Sequence, residues 1–354
     1  MQLSEPTLPL SSPHVHGARP VAWVMRQVLY ALTPAIALYV YLFGCGILLQ
    51  LAIAVGSALL FETLALQLRG LSPKAYLGDG SVVILGCLLA LAIPPYAPWW
   101  VTVAGVAFAV LIGKHAFGGL GHNIFNPAMV GYIFVLLCYP LTLSRWPDMS
   151  KIIDYPGLLD SFKLIAASHP ALLDGISGAT VLDHVKTQAA LMRMQSEMQS
   201  PTAFGVLAGR GWEWINATYL CGGGWLLWRR VVTWRLPLSF LAGLTVAALT
   251  GYIVDPELHR GVVFHLFAGG AMMGAFFVVT DPVSSSTTPL GMLLFGLGAG
   301  LLTYLIREFG GYPDGVAFSV VIMNSLVPLI DRFTRPRLYG KTSDTKHSPS
   351  ATVR

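Results

Sequence analysis

Charge is scarce in this chain. Of 354 residues, 11% are Asp, Glu, Lys or Arg, under half the share of about 25% found in soluble globular domains. Together with 55% hydrophobic residues and a mean hydropathy of +0.65, that shortage excludes an ordinary water-soluble fold and implies a polytopic membrane protein. Cysteine is scarce too. Cys45, Cys87, Cys138 and Cys221 stand apart in apolar runs with no CxxC, which argues against a disulfide framework or thiolate metal site and reads as small buried hydrophobes. The opening "MQLSEPTLPLSSPHVHGARP" lacks the basic start and apolar core of a signal peptide, so it is expected to stay attached as a cytoplasmic tail. The net charge of +5 is then no nucleic-acid footprint. In a membrane protein a basic excess follows the positive-inside rule.

Long apolar runs are present, near the 20 or so residues a bilayer requires. They fall near 22–41, 46–67, 81–98, 99–116 and 124–142, and again near 212–228, 236–254, 261–280, 289–306 and 314–331. The expected architecture is all-α, with ten transmembrane helices in two five-helix halves. The expected divisions are a tail over 1–21, membrane halves over 22–143 and 212–331, a polar loop over 144–211, and a basic tail over 332–354. With the N-terminus inside, inner segments hold Arg19, Arg26, Arg69, Lys74, Lys114, Arg229, Arg230 and Arg235. The C-terminal tail adds Arg332, Arg335, Arg337, Lys341, Lys346 and Arg354, against only Arg260 and Arg307 in short outer loops. Both termini are therefore expected inside and the 144–211 loop outside. Five spans per half would set the halves in opposite orientation. A faint repeat agrees: "LIGKHAFGG" (111–119) resembles "LIREFGG" (305–311), each followed by a proline-led span. Inverted repeats with broken helices are a transporter signature, and proline breaks follow the third span ("PPYAPWW") and the eighth ("TDPVSSSTTP").

Ionisable groups inside a membrane are candidates for function because burying them is costly. Glu62, near the inner end of the second span, and Asp281, closing the eighth, are ion-path candidates or interfacial caps. Lys114 and His115 bracket an inner loop, and His265 reads as an interhelical hydrogen bonder. In "GGLGHNIFNPAMVG" (118–131), Asn123 and Asn126 are three apart. On a helical turn their amides would face one way, offering the donors and acceptors that suit a heterocycle edge. Pro127 would start the next helix. Asn126-Pro127-Ala128 also resembles the aquaporin signature, but that fold needs two copies and one is present. In the loop, "DGISGAT" (174–180) ends on Thr180, with Asp183, His184 and Lys186 on an expected helix over 181–199. A Thr180–His184 pair could form a nucleophile and base. Equally, Ser177, Gly178 and Ala179 give bulk-free backbone around a hydroxyl that can be phosphoryl-linked.

Several motifs in order over roughly 12–340 carry a resemblance: "SPHVH" (12–16), "DGS" (79–81), "LALAIPPYAPWW" (89–100), "GGLGHNIFNPAMVGY" (118–132), "DGISGAT" (174–180), "GWEWIN" (211–216) and "LLWRRVVTWRLPLSF" (226–240). The chain resembles the RnfD family, the D subunits of ion-translocating oxidoreductase complexes, related to NqrB of the sodium-translocating NADH:quinone reductase. The resemblance implies an FMN phosphoester on Thr180, installed from FAD by a flavin transferase on the outer, periplasmic side of a bacterial inner membrane. It also implies non-covalent riboflavin, carried here onto Asn123 and Asn126. The implied fold is two inverted five-helix halves similar to ammonium and urea transporters. The implied partners are membrane lipid and the other subunits of an Rnf complex that passes electrons between ferredoxin and NAD and moves protons or sodium. A solute transporter or channel on the same scaffold, without redox chemistry, is the alternative. So is a scaffold for partner subunits with an unmodified loop.

Overall fold

The structure, a computed structural model, describes residues 20–148, 156–167, 175–191 and 204–336. "SPHVH", Arg19, Asp174, residues 192–199 of the expected loop helix and the basic tail from Arg337 on lie outside the described residues. The membrane elements are α1 (Val21–Phe43), α2 (Gly46–Leu68), α3 (Pro73–Leu77), α4 (Ser81–Ala92), α5 (Trp99–Phe108), α6 (Pro127–Cys138) and α7 (Pro140–Leu143). α5 runs on as a π-helix over Ala109–Lys114 and a 3₁₀ turn over His115–Phe117. Outside them lie β1 (Trp146–Pro147), α8 (Leu158–Ala167), β2 (Ser177–Gly178) and α9 (Val181–Ala190). The chain continues with α10 (Trp212–Trp228), α11 (Arg235–Val254), α12 (Val262–Phe267), α13 (Ala271–Met273) with a π-helix over Gly274–Val278, α14 (Pro289–Phe309) and α15 (Val316–Thr334).

Six helices among the described residues are long and apolar enough to cross a bilayer: α1, α2, Trp99–Phe117, α11, α14 and α15. Of the other four apolar runs, 212–228 is one unbroken 17-residue helix, α10, with the expected bounds, and the remaining three hold helix that is shortened or broken. Proline chemistry sets two of the breaks. α4 stops at Ala92 because Pro94 and Pro95 cannot donate to the carbonyls of Ala90 and Leu91. Leu91 O instead accepts the hydroxyl of Tyr39 at 3.2 Å. The expected 124–142 span is cut to twelve residues, Pro127–Cys138, ahead of Pro140. Pro34 inside α1 similarly leaves Tyr30 O to accept the Thr33 hydroxyl at 2.7 Å.

α2 packs on α4 and α5, and α11 packs on α12 and α14; α1 meets α10, and α6 meets α15. Lipid tails are as apolar as leucine, so close backbone approach, rather than hydrophobic exclusion, holds such helices together. Gly243 on α11 and Gly300 on α14 permit it: a Cβ on either would run into a carbonyl of the other helix, Leu297 O or Phe240 O. The main core is continuous through both halves, while Val181, Leu182, Ala208, Phe264 and Ala268 form a small separate cluster under α9.

Three expectations about single residues change. Arg307 is no loop charge: it lies in α14, 4% exposed, with Nε donating to Asp314 Oδ1 at 3.1 Å and Nη1 and Nη2 to the carbonyls of His265 and Ala268. His265 is held between helices by a long contact, Nε2 standing 3.5 Å from Glu308 Oε1 of α14, rather than by a close side-chain hydrogen bond. Cys138 and Cys221 are exposed on apolar helix surface rather than buried; all four cysteines are free.

Candidate functional site

Thr180 sits where two local structures meet. Upstream, β2 pairs antiparallel with β1, Ser177 opposite Pro147 and Gly178 opposite Trp146, and Asp148 N–H donates to Ile176 O at 2.8 Å. Gly178 lies against Asp148, so a Cβ there would come within 3.3 Å of the aspartate's Cβ. Downstream, Thr180 is the N-cap of α9: its Oγ1 accepts Asp183 N–H at 3.2 Å. Ser, Thr, Asp and Asn favour this position because their oxygens satisfy donors the helix cannot. The hydroxyl therefore bonds to backbone, not to His184, whose ring stands edge-on to Phe204 at 6.1 Å. The nucleophile–base pair is not formed. α9 ends at Ala190, shorter than the helix expected from the sequence.

A cavity of about 260 Å³ opens beside Thr180. Thr180, Val181, Leu182 and Asp183 line it from α9. Opposite them stand Tyr39, Tyr132, Trp146, Trp212, Tyr219 and Tyr312, with Gly269, Gly270 and Asp314. Trp146 and Trp212 meet edge to face at 4.9 Å. Burial pushes the Asp183 carboxyl above the usual range, against the opposing pull of Lys186 and His184. Burial also pushes the Lys186 ammonium below its ordinary value, with Glu308 and Asp183 opposing. Lys186 Nζ donates to Tyr312 O at 2.8 Å, Arg307 O at 3.0 Å and Ile306 O at 3.3 Å, closing the C-terminal end of α14.

A second cavity, of about 380 Å³, lies at the other end of α1 and α10. It is lined by Val21, Val24, Met25 and Val28 of α1 and Leu226 of α10, whereas the first uses Tyr39 and Tyr219 of the same helices. Asn123, Asn126, Lys114, Ser81, Thr280 and Asp281 are its polar residues. Asn123 and Asn126 thus share a cavity, though not through a helical turn: residues 123–126 precede α6, and Asn126 caps it. The Asn126 side chain is committed, with Oδ1 accepting Met129 N–H and Nδ2 donating to Val278 O, both at 3.3 Å; Asn324 Oδ1 receives its N–H at 3.1 Å. Asn123 Nδ2 donates to Phe125 O at 3.0 Å.

Glu62 is not an interfacial cap. It is 4% exposed and takes a 2.8 Å hydrogen bond from Lys114, itself 3% exposed; its second oxygen lies 3.0 Å from His115 Nε2. Lys114 also reaches Ser81 Oγ at 3.3 Å and so joins Glu62 to the cavity wall. Asp281 accepts from Val283 N–H at 3.2 Å and Ser284 Oγ at 2.7 Å, capping its own turn while lining the cavity. Reasoning from sequence missed Tyr312, Asp314, Glu308 and the aromatic wall. The "LIREFGG" repeat was the available signal for Glu308, since it puts Arg307 and Glu308 in the stretch that corresponds to the one holding Lys114 and His115.

Six long apolar helices, further broken ones and two cavities at opposite ends define a multi-pass membrane protein with ligand-sized sites inside its helix bundle. The chain belongs to the NQR2, RnfD, RnfE family, whose profile matches residues 9–340. It is similar to the D subunit of the ion-translocating oxidoreductase complex of Escherichia coli O139:H28 (strain E24377A / ETEC), 47% identical over 342 residues, covering 93% of this chain and 97% of the relative. The subunits of the same name from Escherichia coli (strain K12) and Shigella flexneri serotype 5b (strain 8401) match with the same identity and coverage.

Proposed function

We propose that this chain is the flavin-bearing D subunit of an Rnf-type ion-translocating oxidoreductase complex in a bacterial inner membrane. The observation that carries the reading is the placement of Thr180, which caps a helix at the mouth of a cavity walled by tyrosine and tryptophan. In it, FMN is held on Thr180 through a phosphoester, and riboflavin lies in the Asn123–Asn126 cavity. Both sites suit the groups assigned to them. A phosphoester oxygen on Thr180 places phosphate against the N-terminus of the ten-residue α9, where unpaired N–H groups and the helix dipole favour negative charge. Burial pushes the Asp183 carboxyl upward, toward its neutral form, beside that position. The second cavity is largely apolar with few polar groups, as small-molecule sites are.

When bound, flavin supplies electron-transfer chemistry; the chain supplies position. On α6, Ala128 faces one cavity and Met129 the other, and on the π-helix Phe277 and Val278 divide likewise. The wall between the sites is therefore thin. The two-half packing, with α2 on α4 and α5 matched by α11 on α12 and α14, is what two repeats of five spans would give; in this reading the repeats are inverted, and the distribution of Lys and Arg puts Thr180 on the periplasmic side and the termini in the cytoplasm. Glu62 and Asp281, both tied to the inner cavity, remain the candidates for an ion path of H⁺ or Na⁺. The other subunits, which exchange electrons with ferredoxin and NAD, and a flavin transferase are the partners this reading requires.

Denaturing gels of purified protein under ultraviolet light test it. Protein from a host with the transferase is expected to fluoresce, and Thr180→Ala to be dark. A dark wild-type band would favour the transporter reading.

A further inference from the structure

Helices α2 and α10 end in the same kind of turn. After α2, Leu71 N–H donates to Leu66 O and Gly70 N–H to Gln67 O, each at 2.9 Å. After α10, Val231 N–H donates to Leu226 O at 2.9 Å and Arg230 N–H to Leu227 O at 3.0 Å. Both are Schellman closures, which need one left-handed residue just past the helix and usually take glycine. The first uses Gly70, φ +69. The second uses Arg230, φ +52, the one non-glycine residue with positive φ among the described residues. A side chain is disfavoured in that conformation where glycine is not. Strain kept at one site points to a use for the residue that bears it.

The surroundings indicate the use. The Arg229 guanidinium lies over three indoles, Trp23 at 5.5 Å, Trp225 at 5.6 Å and Trp228 at 6.0 Å; Arg235 lies over Trp234 at 5.6 Å. Trp225 is anchored in turn, donating Nε1–H to Gln27 Oε1 at 3.2 Å. Trp228, Trp234 and Arg230 are exposed. Tryptophans at a helix end mark the boundary between lipid and water, and the surface continues into exposed apolar Leu238. Three guanidiniums stand within residues 229–235, and no Asp or Glu occurs from Trp214 to Val254. The turn thus presents positive charge with no acid of its own segment to answer it.

We propose that the α10–α11 turn is a binding site for the headgroup of an anionic phospholipid. Arg230 and Arg235 contact the phosphodiester, and the Arg229–tryptophan cluster sets the depth at which the glycerol backbone lies. Guanidinium matches phosphate oxygens with paired N–H donors, which explains why glycine is displaced at residue 230.

The full-length protein in neutral detergent, titrated with phosphatidylglycerol or phosphatidylcholine and followed by native mass spectrometry and thermal melting, tests the site. Saturable binding of phosphatidylglycerol with a rise in melting temperature is expected, with phosphatidylcholine much weaker. Arg230→Gly relaxes the backbone, so its melting temperature without lipid is expected to be no lower than wild type. Its phosphatidylglycerol affinity should nonetheless fall about fivefold, the weight of one basic residue near an anionic surface. Arg229→Gln with Arg235→Gln should lower it further. Unchanged affinity in Arg230→Gly, or equal binding of the two lipids, overturns the proposal. So does an Arg230→Gly protein that keeps its lipid but loses a partner subunit, since the turn would then be a protein contact.

Discussion

The ammonium of Lys186 lies 2.8 Å from the carbonyl oxygen of Tyr312, joining the helix that Thr180 caps to the turn after α14, 126 residues away in sequence. The same group serves two further carbonyls at the end of α14. Lys186→Met removes the shared donor while keeping the aliphatic stem. The expected cost to docking of α9 is about 1–3 kcal/mol, the usual penalty for buried polar groups left unpaired. Hydrogen exchange should show residues 181–190 losing protection while α14 keeps its own; unchanged protection would mean the apolar cluster alone holds α9.

Asp183 makes that docking sensitive to pH. Burial raises its folded-state pKa, so between the unfolded and folded values the docked form binds more protons than the undocked. Stability then falls as pH rises through that window. Exchange protection of α9, corrected for intrinsic rates, should decline with rising pH across and just above the ordinary carboxylate range. Asp183→Asn should flatten the dependence. A slope that survives the substitution would assign it to another group.

The two asparagines are expected to separate in function. Asn126 caps α6 and holds Val278, so Asn126→Leu should destabilise the protein by about 1–2 kcal/mol through the lost cap alone. Asn123→Leu should leave the melting temperature near wild type yet release extractable riboflavin. If Asn123→Leu retains riboflavin stoichiometrically, the ligand does not use that amide.

Glu62 and Lys114 form a buried pair 2.8 Å apart, 4% and 3% exposed. Removing one partner strands the other charge, so Glu62→Gln is expected to cost roughly 3–5 kcal/mol. Adding Lys114→Met should recover part of that loss. A double variant no better than the single would show that the pair is not coupled.

What the sequence disclosed and what it hid follow from the range of the interactions. The membrane class was legible from the shortage of charge, and helix starts such as Asn126-Pro127 were legible because a cap and its proline are neighbours. The break after α4 was visible in Pro94-Pro95. The docking of Lys186 on Tyr312, the Asn324 amide on Asn126 and the tyrosine–tryptophan wall were not, since each joins segments far apart in sequence. The Asn123–Asn126 spacing pointed to a shared site through a helical turn that does not form. The two residues meet one cavity because the turn before α6 brings them there.

The central claim is that Thr180 carries a flavin, and mass spectrometry tests it most directly. The intact protein from a host with the transferase, followed by peptide mapping, is expected to show one FMN phosphoester on the peptide containing Ser177-Gly178-Ala179-Thr180, absent in Thr180→Ala. An unmodified Thr180 peptide in that host, or the adduct on another residue, would contradict the account.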